Sequence, residues 1–172
     1  MYKRFWLIGV FFISGCGFVL HIAYETSGAA AWSLIISGVN LSPWELMKPF
    51  VLVYIMWTFI ELSVLRPSLL HYVCGRMLSL IIYMIVSLCL LSLIYCFIVS
   101  EWLSLSLILL TTLLSQAICS RLYRSHCRTE LFWMPLLAAL AIVLACILLF
   151  SFYPPQFPFF LDPLTGKYGL AI

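Results

Sequence analysis

The sequence predicts an all-α fold, a polytopic bundle of membrane-spanning helices. Of its 172 residues 65% are hydrophobic and 9% are charged, whereas a soluble domain has about 25% charged residues. Several apolar runs approach or exceed the ~20 residues that cross the hydrocarbon core of a bilayer. Because the backbone must satisfy its own hydrogen bonds in lipid, these runs must be helices. We therefore expect one integral membrane domain over residues 1–172, with five transmembrane helices and one short re-entrant or interfacial segment.

The first helix is predicted over residues 5–24. The sequence ISGC at residues 13–16 resembles a lipoprotein cleavage box, in which Cys16 would carry the lipid. The apolar run continues past this point through residue 20, whereas a processed lipoprotein normally continues with a polar tether. We therefore interpret the segment as an uncleaved helix.

A short apolar segment follows at residues 29–39, with Gly28 and Gly38 at its ends. Eleven residues are too few to cross a bilayer as a helix. We expect this segment to enter and leave on the same side, as a re-entrant or interfacial element. The second helix is predicted over residues 43–65. Its start has Ser42 as the N-cap, followed by proline at the first helical position and an acid at the third.

Three further helices are predicted, at about residues 70–99, 103–123 and 131–153. Basic turns precede the first and the last of them, and the pair Glu101-Trp102 marks the opposite membrane surface. Pro154-Pro155 ends the fifth helix. The remaining tail, residues 154–172, is rich in proline and aromatic residues, and we expect it to lie along the surface.

The basic residues predict the orientation of this bundle. Seven of the nine fall on one side of a five-helix arrangement, which places that side and the N-terminus in the cytoplasm and the C-terminal tail outside. The seven are Lys3, Arg4, Arg66, Arg76, Arg121, Arg124 and Arg128, and the other two are Lys48 and Lys167. Aromatic residues mark the outer boundary as an interfacial belt, namely Trp32, Trp44, Trp102 and Tyr153.

Five polar residues are candidates for a binding site: His21, Glu25, Asn40, Glu45 and Glu61. His21 and Glu25 are four residues apart, so a continuous helix would place them on one face, where they could move a proton or bind a cation. The alternative is an ordinary helix end at the interface. We predict that His21 lies within ~3 Å, or one water further, of Glu25, Asn40 or Glu45.

The other candidates also have structural alternatives. Asn40 and Glu45 bracket the start of the second helix, where a turn and a favourable interaction with the helix dipole would explain them equally well. Glu61 lies deep in the same helix, and Arg66 or Arg76 could neutralise it as a structural ion pair. Both interpretations remain open from the residues alone.

Several function classes are disfavoured. The seven cysteines are odd in number, include no C-x-x-C pair and mostly lie in apolar runs, so we expect neither a disulfide framework nor a metal site. No nucleotide-binding loop, nucleophile elbow or H-E-x-x-H motif is present, and no particular cofactor is indicated. The net charge of +3 reflects basic turns rather than a nucleic-acid surface.

Three motifs stand out along the chain: L-H-x-x-Y-E at residues 20–25, N-x-S-x-W-E at 40–45, and Y-P-P followed by D-P-x-T-G-x-Y-G at 153–169. They resemble the motifs of a bacterial multi-pass membrane protein family that is catalogued as a domain of unknown function. The resemblance implies five helices in a bacterial inner membrane, and the family supplies no activity to transfer. Leu41 and Leu46 stand where that family usually has an acid and a histidine; if those two residues bind a metal or move protons in relatives, the resemblance implies that this chain has lost that activity.

The sequence favours a membrane protein that binds a small ligand, a lipid or an ion in an outward-facing polar pocket. One alternative is a membrane enzyme in which His21 and Glu25 act as acid and base on a lipidic substrate, so whether the protein is an enzyme stays open. Another is a structural or assembly subunit without chemistry of its own. The expected partners are membrane lipid and, for a subunit, another membrane protein, but no nucleic acid.

Overall fold

The computed structural model describes residues 2–65, 69–124 and 133–169. Within these ranges the fold is all-helical, as predicted, and the β structure is limited to one isolated bridge between Leu161 and Tyr168. The elements are α1 (Tyr2–His21), α2 (Ala23–Thr26), α3 (Ser33–Ile36), α4 (Pro43–Leu65), α5 (Leu69–Tyr95), α6 (Glu101–Arg124), α7 (Trp133–Phe152) and a 3-10 turn (Pro158–Phe160).

Four of the described helices, α4 to α7, are long and apolar enough to cross a membrane. The apolar part of α1, Phe5–His21, is shorter. The prediction of several helices that are long and apolar enough to span a membrane is therefore confirmed, while a count of five stays a prediction. The long helices alternate in direction. We call the end where α1, α5 and α7 finish the His21 end, and the opposite one the Arg76 end.

The first helix has the predicted length of 20 residues but lies earlier in the chain, because it begins at Tyr2 instead of residue 5 and ends at His21 instead of residue 24. The Ser37 hydroxyl donates a hydrogen bond to the His21 carbonyl over 2.8 Å and accepts one from the Tyr24 N–H over 3.0 Å. The Ser37 side chain thus satisfies two backbone groups where α1 ends, although it lies more than ten residues away in the sequence. The chain turns at Ile22 before the single helical turn of α2.

The N-cap predicted for the second helix forms. The Ser42 hydroxyl accepts a hydrogen bond from the Glu45 N–H over 3.3 Å, and α4 runs from Pro43 to Leu65. This satisfies one of the backbone donors left open at the helix start. The side chain of Asn40 accepts a further bond from the Ser42 N–H over 3.0 Å, so the turn before α4 is also held.

The connection between α5 and α6 is longer than predicted. α5 ends at Tyr95 rather than residue 99, and α6 begins at Glu101 rather than residue 103. The Phe97 N–H and Ile98 N–H both bond to the Ile94 carbonyl, which closes the chain into a tight turn instead of continuing the helix. The start predicted for the last helix, residues 131–132, lies outside the described residues.

The short apolar segment forms one helical turn, α3, and does not run along the bundle. Hydrogen bonds tie it to the His21 end at both of its flanks, through Ser33 to Ser27 and through Ser37 to His21. The Leu34 carbonyl accepts a hydrogen bond from Lys48 over 2.7 Å. The segment therefore covers the first turns of α4.

The core lies around α4, which packs against α1 and α5. α1 approaches α4 closely because it carries glycine at the points of contact. A Cβ on Gly17 would lie 2.3 Å from the Phe50 ring, and one on Gly9 would lie 2.5 Å from Trp57 Nε1. α7 is the least enclosed long helix, with only Leu136, Ile147 and Ser151 buried.

The tail does not simply lie along the surface as predicted. Phe160 is buried, and its ring centroid lies 5.2 Å from those of both Trp44 and Phe150. Trp44 is consequently a core residue and not part of an interfacial belt, whereas Trp102 and Tyr153 are exposed. The burial of apolar rings between α4, α7 and the tail explains both corrections.

Candidate functional site

A cavity of about 320 Å³ lies at the His21 end, where α1 ends, α6 begins and the tail folds back. Its volume is at the lower end of the ~300–1,000 Å³ range typical of small-molecule sites. Its polar lining comprises His21, Glu25, Asn40, Glu101, Asp162 and Thr165. We call it the His21 cavity.

Among the ionisable residues of the cavity that lie on helices, His21 is the most buried. Only 8% of the residue is exposed, and its Nε2 lies 3.6 Å from Glu101 Oε1, just beyond hydrogen-bonding distance. Its Nδ1 is buried and has no hydrogen-bond partner among the residues that the structure describes. Gly38 permits this placement, because a Cβ there would lie 2.8 Å from Nδ1. One ring nitrogen thus faces a carboxylate and the other is unpaired.

The predicted grouping of polar residues is partly observed. His21, Glu25 and Asn40 line the same cavity, although α1 does not continue far enough to put the first two on one helical face. The direct hydrogen bonds predicted from His21 to Glu25, Asn40 or Glu45 do not form among the described residues. The closest acid to its ring is Glu101, on a different helix, because the turn at Ile22 redirects the chain after α1.

The tail forms one wall of the cavity. Asp162 is buried, and its two carboxylate oxygens accept hydrogen bonds from the Leu164 N–H over 3.1 Å and from the Thr165 hydroxyl over 2.7 Å. The Asn40 amide donates to the Gly169 carbonyl over 2.9 Å. The bonds of Asp162 hold the loop of the D-P-x-T-G motif together. The bond from Asn40 fixes the tail against the segment that leads into α4.

Glu45 does not belong to the cavity, contrary to the site prediction. It is buried in an ion pair, with its Oε2 at 2.7 Å from Lys48 Nζ and at 3.2 Å from the Val39 N–H. Lys48 is fully buried and also bonds to the Ser151 hydroxyl over 3.2 Å. The pair joins α4 to α7 and to the segment before it, which is a structural role.

Glu61 lies at the other end of the bundle. It is buried and paired with Arg76, which was one of the two partners that the sequence suggested. Arg76 is a core residue of α5, with its Nε donating to Tyr72 Oη over 2.9 Å and its Nη1 to Gln116 Oε1 over 2.7 Å. We call these four residues the Arg76 cluster.

The His21 cavity and the Arg76 cluster differ in charge. The His21 cavity is lined by three carboxylates, Glu25, Glu101 and Asp162, and by one imidazole, with no lysine or arginine in its lining. In the part of the chain that the structure describes, no lysine or arginine forms an ion pair with these carboxylates. Lys167 follows Asp162 in the same loop, but its side chain is exposed and makes no such pair. The cavity therefore carries a net negative charge.

Sequence reasoning missed Glu101, Asp162 and Thr165 as cavity residues. The sequence alone indicates Glu101 as a marker of the membrane surface, and Asp162 and Thr165 as parts of a tail motif. The alternation of five helices was a usable signal, because it places the start of α6 and the whole tail at the end where α1 finishes. Leu41, which departs from the family pattern, also lines the cavity, while Leu46 is buried in the core.

The arrangement is suited to binding and to proton exchange. Glu101 has 48% of its side chain exposed, so the cavity is reachable from the surface at that point. An imidazole beside a carboxylate can accept or donate a proton. In the described residues no three His, Cys, Asp or Glu side chains converge as metal ligands would.

Comparison with known proteins adds the family and no activity. No curated protein and no solved structure matches this chain. A family model with the description "Family of unknown function (DUF6512)" matches residues 1–170. Because the match covers almost the whole sequence, the chain belongs to this family of unknown function.

Proposed function

We propose that this integral membrane protein binds a small ligand in the His21 cavity. The observation that carries the proposal is a cavity of about 320 Å³ that is lined by His21 and by three carboxylates, which form no ion pair with a lysine or arginine among the described residues. Charged groups in a partly enclosed site are costly unless they are paired. A ligand that interacts with them would offset that cost.

A membrane enzyme is the second candidate. It is favoured by the 3.6 Å approach of His21 Nε2 to Glu101, since a carboxylate behind one ring nitrogen raises the basicity of the other. His21 would then be the general base, with Glu101 in the place that the sequence had assigned to Glu25. Both candidates require the same cavity, and binding is the simpler of the two.

The proposal includes an orientation with the Arg76 end in the cytoplasm. Lys48 and Arg76 are buried in ion pairs, so they do not contribute to the charge of either membrane surface. The remaining basic residues still divide six to one in favour of the Arg76 end of the predicted five-helix topology, with only Lys167 opposite. The positive-inside rule then makes the His21 cavity outward-facing.

The orientation is tested by labelling with a membrane-impermeant thiol reagent. In a variant without the native cysteines, Leu164→Cys should label in intact cells and Ser68→Cys only after lysis. Labelling of Ser68→Cys from outside would overturn the orientation and leave the cavity proposal in place.

Ligand binding is tested by thermal unfolding of the protein in nanodiscs against a library of small water-soluble compounds. A ligand that binds only the folded state raises the melting temperature. Leu164 lines the cavity and its side chain is largely exposed, so Leu164→Trp should narrow the cavity without disturbing a helix. Leu149→Trp, at an exposed position on α7, is the matched control.

The expected result is a set of compounds that stabilise the wild type and Leu149→Trp but not Leu164→Trp. Equal shifts in both variants would place binding elsewhere and contradict the proposal. A library without any stabilising compound at millimolar concentration would contradict it as well.

A further inference from the structure

We infer that the ligand of the His21 cavity is a membrane lipid, whose headgroup enters the cavity while one of its chains lies along an exposed face of α1. This inference rests on the proposed function, because it names the class of ligand for that same site. It also assigns a binding role to a part of α1 that lies outside the cavity.

One face of α1 forms a continuous exposed stripe. Phe11, Gly15, Phe18 and Ile22 follow one another at intervals of four, three and four residues, so they lie in a row along the helix. The Ile22 N–H donates a hydrogen bond to the Phe18 carbonyl over 3.3 Å, which keeps the helical spacing just past the end of α1. All four residues are exposed. We call them the α1 stripe.

The α1 stripe leads into the cavity. Ile22 belongs to both, because it ends the stripe and also lines the His21 cavity. With α1 crossing the membrane as the sequence predicts, the stripe faces lipid, which by itself is ordinary for a membrane helix. What distinguishes this face is its continuity with a cavity that has a polar lining. A molecule with an apolar chain can therefore place a polar group in the cavity without leaving the bilayer.

The length and the shape of the α1 stripe suit one lipid chain. From Phe11 to Ile22 the helix rises roughly 16 Å, which is close to half of the ~30 Å hydrocarbon core and hence to the depth of one leaflet. Gly15 leaves a notch in the stripe, since a Cβ built there would meet no heavy atom within 4 Å. Small residues of this kind permit close approach to a helix backbone in a membrane.

The cavity lining restricts the headgroup. Its volume of about 320 Å³ accommodates a group of several heavy atoms. Glu25, Glu101 and Asp162 line it, with no lysine or arginine of the described residues beside them. A headgroup with net negative charge would be repelled by these carboxylates, whereas a zwitterionic headgroup avoids this net repulsion. We therefore expect a zwitterionic lipid.

The experiment is photo-crosslinking of full-length protein in which photo-leucine, a diazirine analogue, replaces a small fraction of the leucines. The nanodiscs contain equal amounts of phosphatidylcholine and phosphatidylglycerol, and peptide mass spectrometry locates the lipid adducts. Leu41 is half-buried and lines the cavity, whereas Leu149 is exposed on α7 and meets ordinary surrounding lipid. Adducts at Leu41 should be predominantly phosphatidylcholine, and adducts at Leu149 should follow the composition of the bilayer.

Gly15→Trp tests the path of the lipid chain, because it fills the notch with a side chain. The yield of lipid adducts at Leu41 should fall about tenfold, which corresponds to about 1.4 kcal/mol. Gly15 is not part of the cavity lining, so stabilisation by soluble compounds that bind in the cavity should not weaken. Ile142→Trp, at an exposed position on α7, is the matched control and should leave the adduct yield at Leu41 unchanged.

The outcomes separate this inference from the proposed function. If Leu41 carries no lipid adduct, or carries both lipids in the same proportion as Leu149, the inference is wrong. Equal yields at Leu41 in Gly15→Trp and the wild type would also overturn it, because the chain would then lie elsewhere. In each case the proposed function stands if the compound library yields a ligand that Leu164→Trp blocks. If the library fails as well, both fall together.

Discussion

The two polar regions of this bundle contain the same kinds of residue but differ in how those residues are compensated. At the Arg76 end, the buried carboxylate of Glu61 is paired with Arg76, and the guanidinium donates to Tyr72 and Gln116. The adjoining void of about 30 Å³ has room for little more than a water molecule or two. This region has little free space, and its charges neutralise each other.

At the His21 end, three carboxylates line an accessible cavity and form no ion pair with a lysine or arginine in the described part of the chain, where the buried imidazole also has one nitrogen without a hydrogen-bond partner. The comparison shows that a buried acid in a membrane helix is not by itself a sign of function. What distinguishes the two cases is whether a charged partner compensates the buried acid. Compensated groups hold helices together, and uncompensated groups beside a cavity have energy to gain from a ligand.

The largest expected effect is at the Arg76 cluster. Arg76→Met leaves Glu61 buried without its counter-charge, and breaking a buried ion pair in this way costs about 3–5 kcal/mol of unfolding free energy. Equilibrium unfolding in mixed micelles measures the loss. Compounds that stabilise the wild type by binding in the His21 cavity should still bind the folded fraction.

The double variant Arg76→Met/Glu61→Met is the matched control. Replacing both partners by apolar residues of similar size removes the unpaired charge, so it should be markedly more stable than Arg76→Met alone. A double variant that is as unstable as the single one would show that the pair is not what the cluster contributes.

An intermediate effect is expected at the contact between α1 and the helices of the Arg76 cluster. In Gly9→Ala the new Cβ would lie 2.5 Å from Trp57 Nε1 and 3.3 Å from Gln116 Oε1, so both side chains must shift. Overpacking of this kind costs about 1–3 kcal/mol. Gly15→Ala, on the same helix with nothing within 4 Å, should be as stable as the wild type or slightly more so. Equal losses in both variants would point to the helix backbone and not to this contact.

The smallest effect on stability is expected in the cavity wall. Glu25 is exposed and makes no ion pair among the described residues, so Glu25→Gln should change the unfolding free energy by no more than about 0.5 kcal/mol. Because Glu25 lines the cavity, the same variant should change the affinity for compounds that bind there. A stability loss comparable to that of Arg76→Met would erase the distinction between the two regions.

Local signals predicted the parts of this fold that depend on neighbouring residues. The apolar runs predicted the long helices, and the S-P-x-E pattern predicted the start of α4 through the Ser42 cap. The location of His21, Glu25 and Asn40 at the same end of the bundle was also predictable, because the connection from α1 to α4 has to begin and end there.

Contacts between distant segments were not predictable in this way. The burial of Phe160 against Trp44 depends on where a proline-rich tail settles, and hydropathy says nothing about that. Lys48 was counted as a surface charge, although its short distance to Glu45 along α4 allows a buried pair. Glu101 joined the site only through the spatial meeting of α1 and α6.

The central claim is that His21 is present for a ligand and not for the fold. It is tested most directly by the free energy of unfolding of His21→Leu, measured in ligand-free mixed micelles. Leucine keeps much of the side-chain volume and removes the unpaired Nδ1, whose burial costs about 1–3 kcal/mol. The account predicts a protein that is as stable as the wild type or more stable. A loss of more than about 2 kcal/mol, in the range of a broken buried hydrogen-bond network, would contradict it.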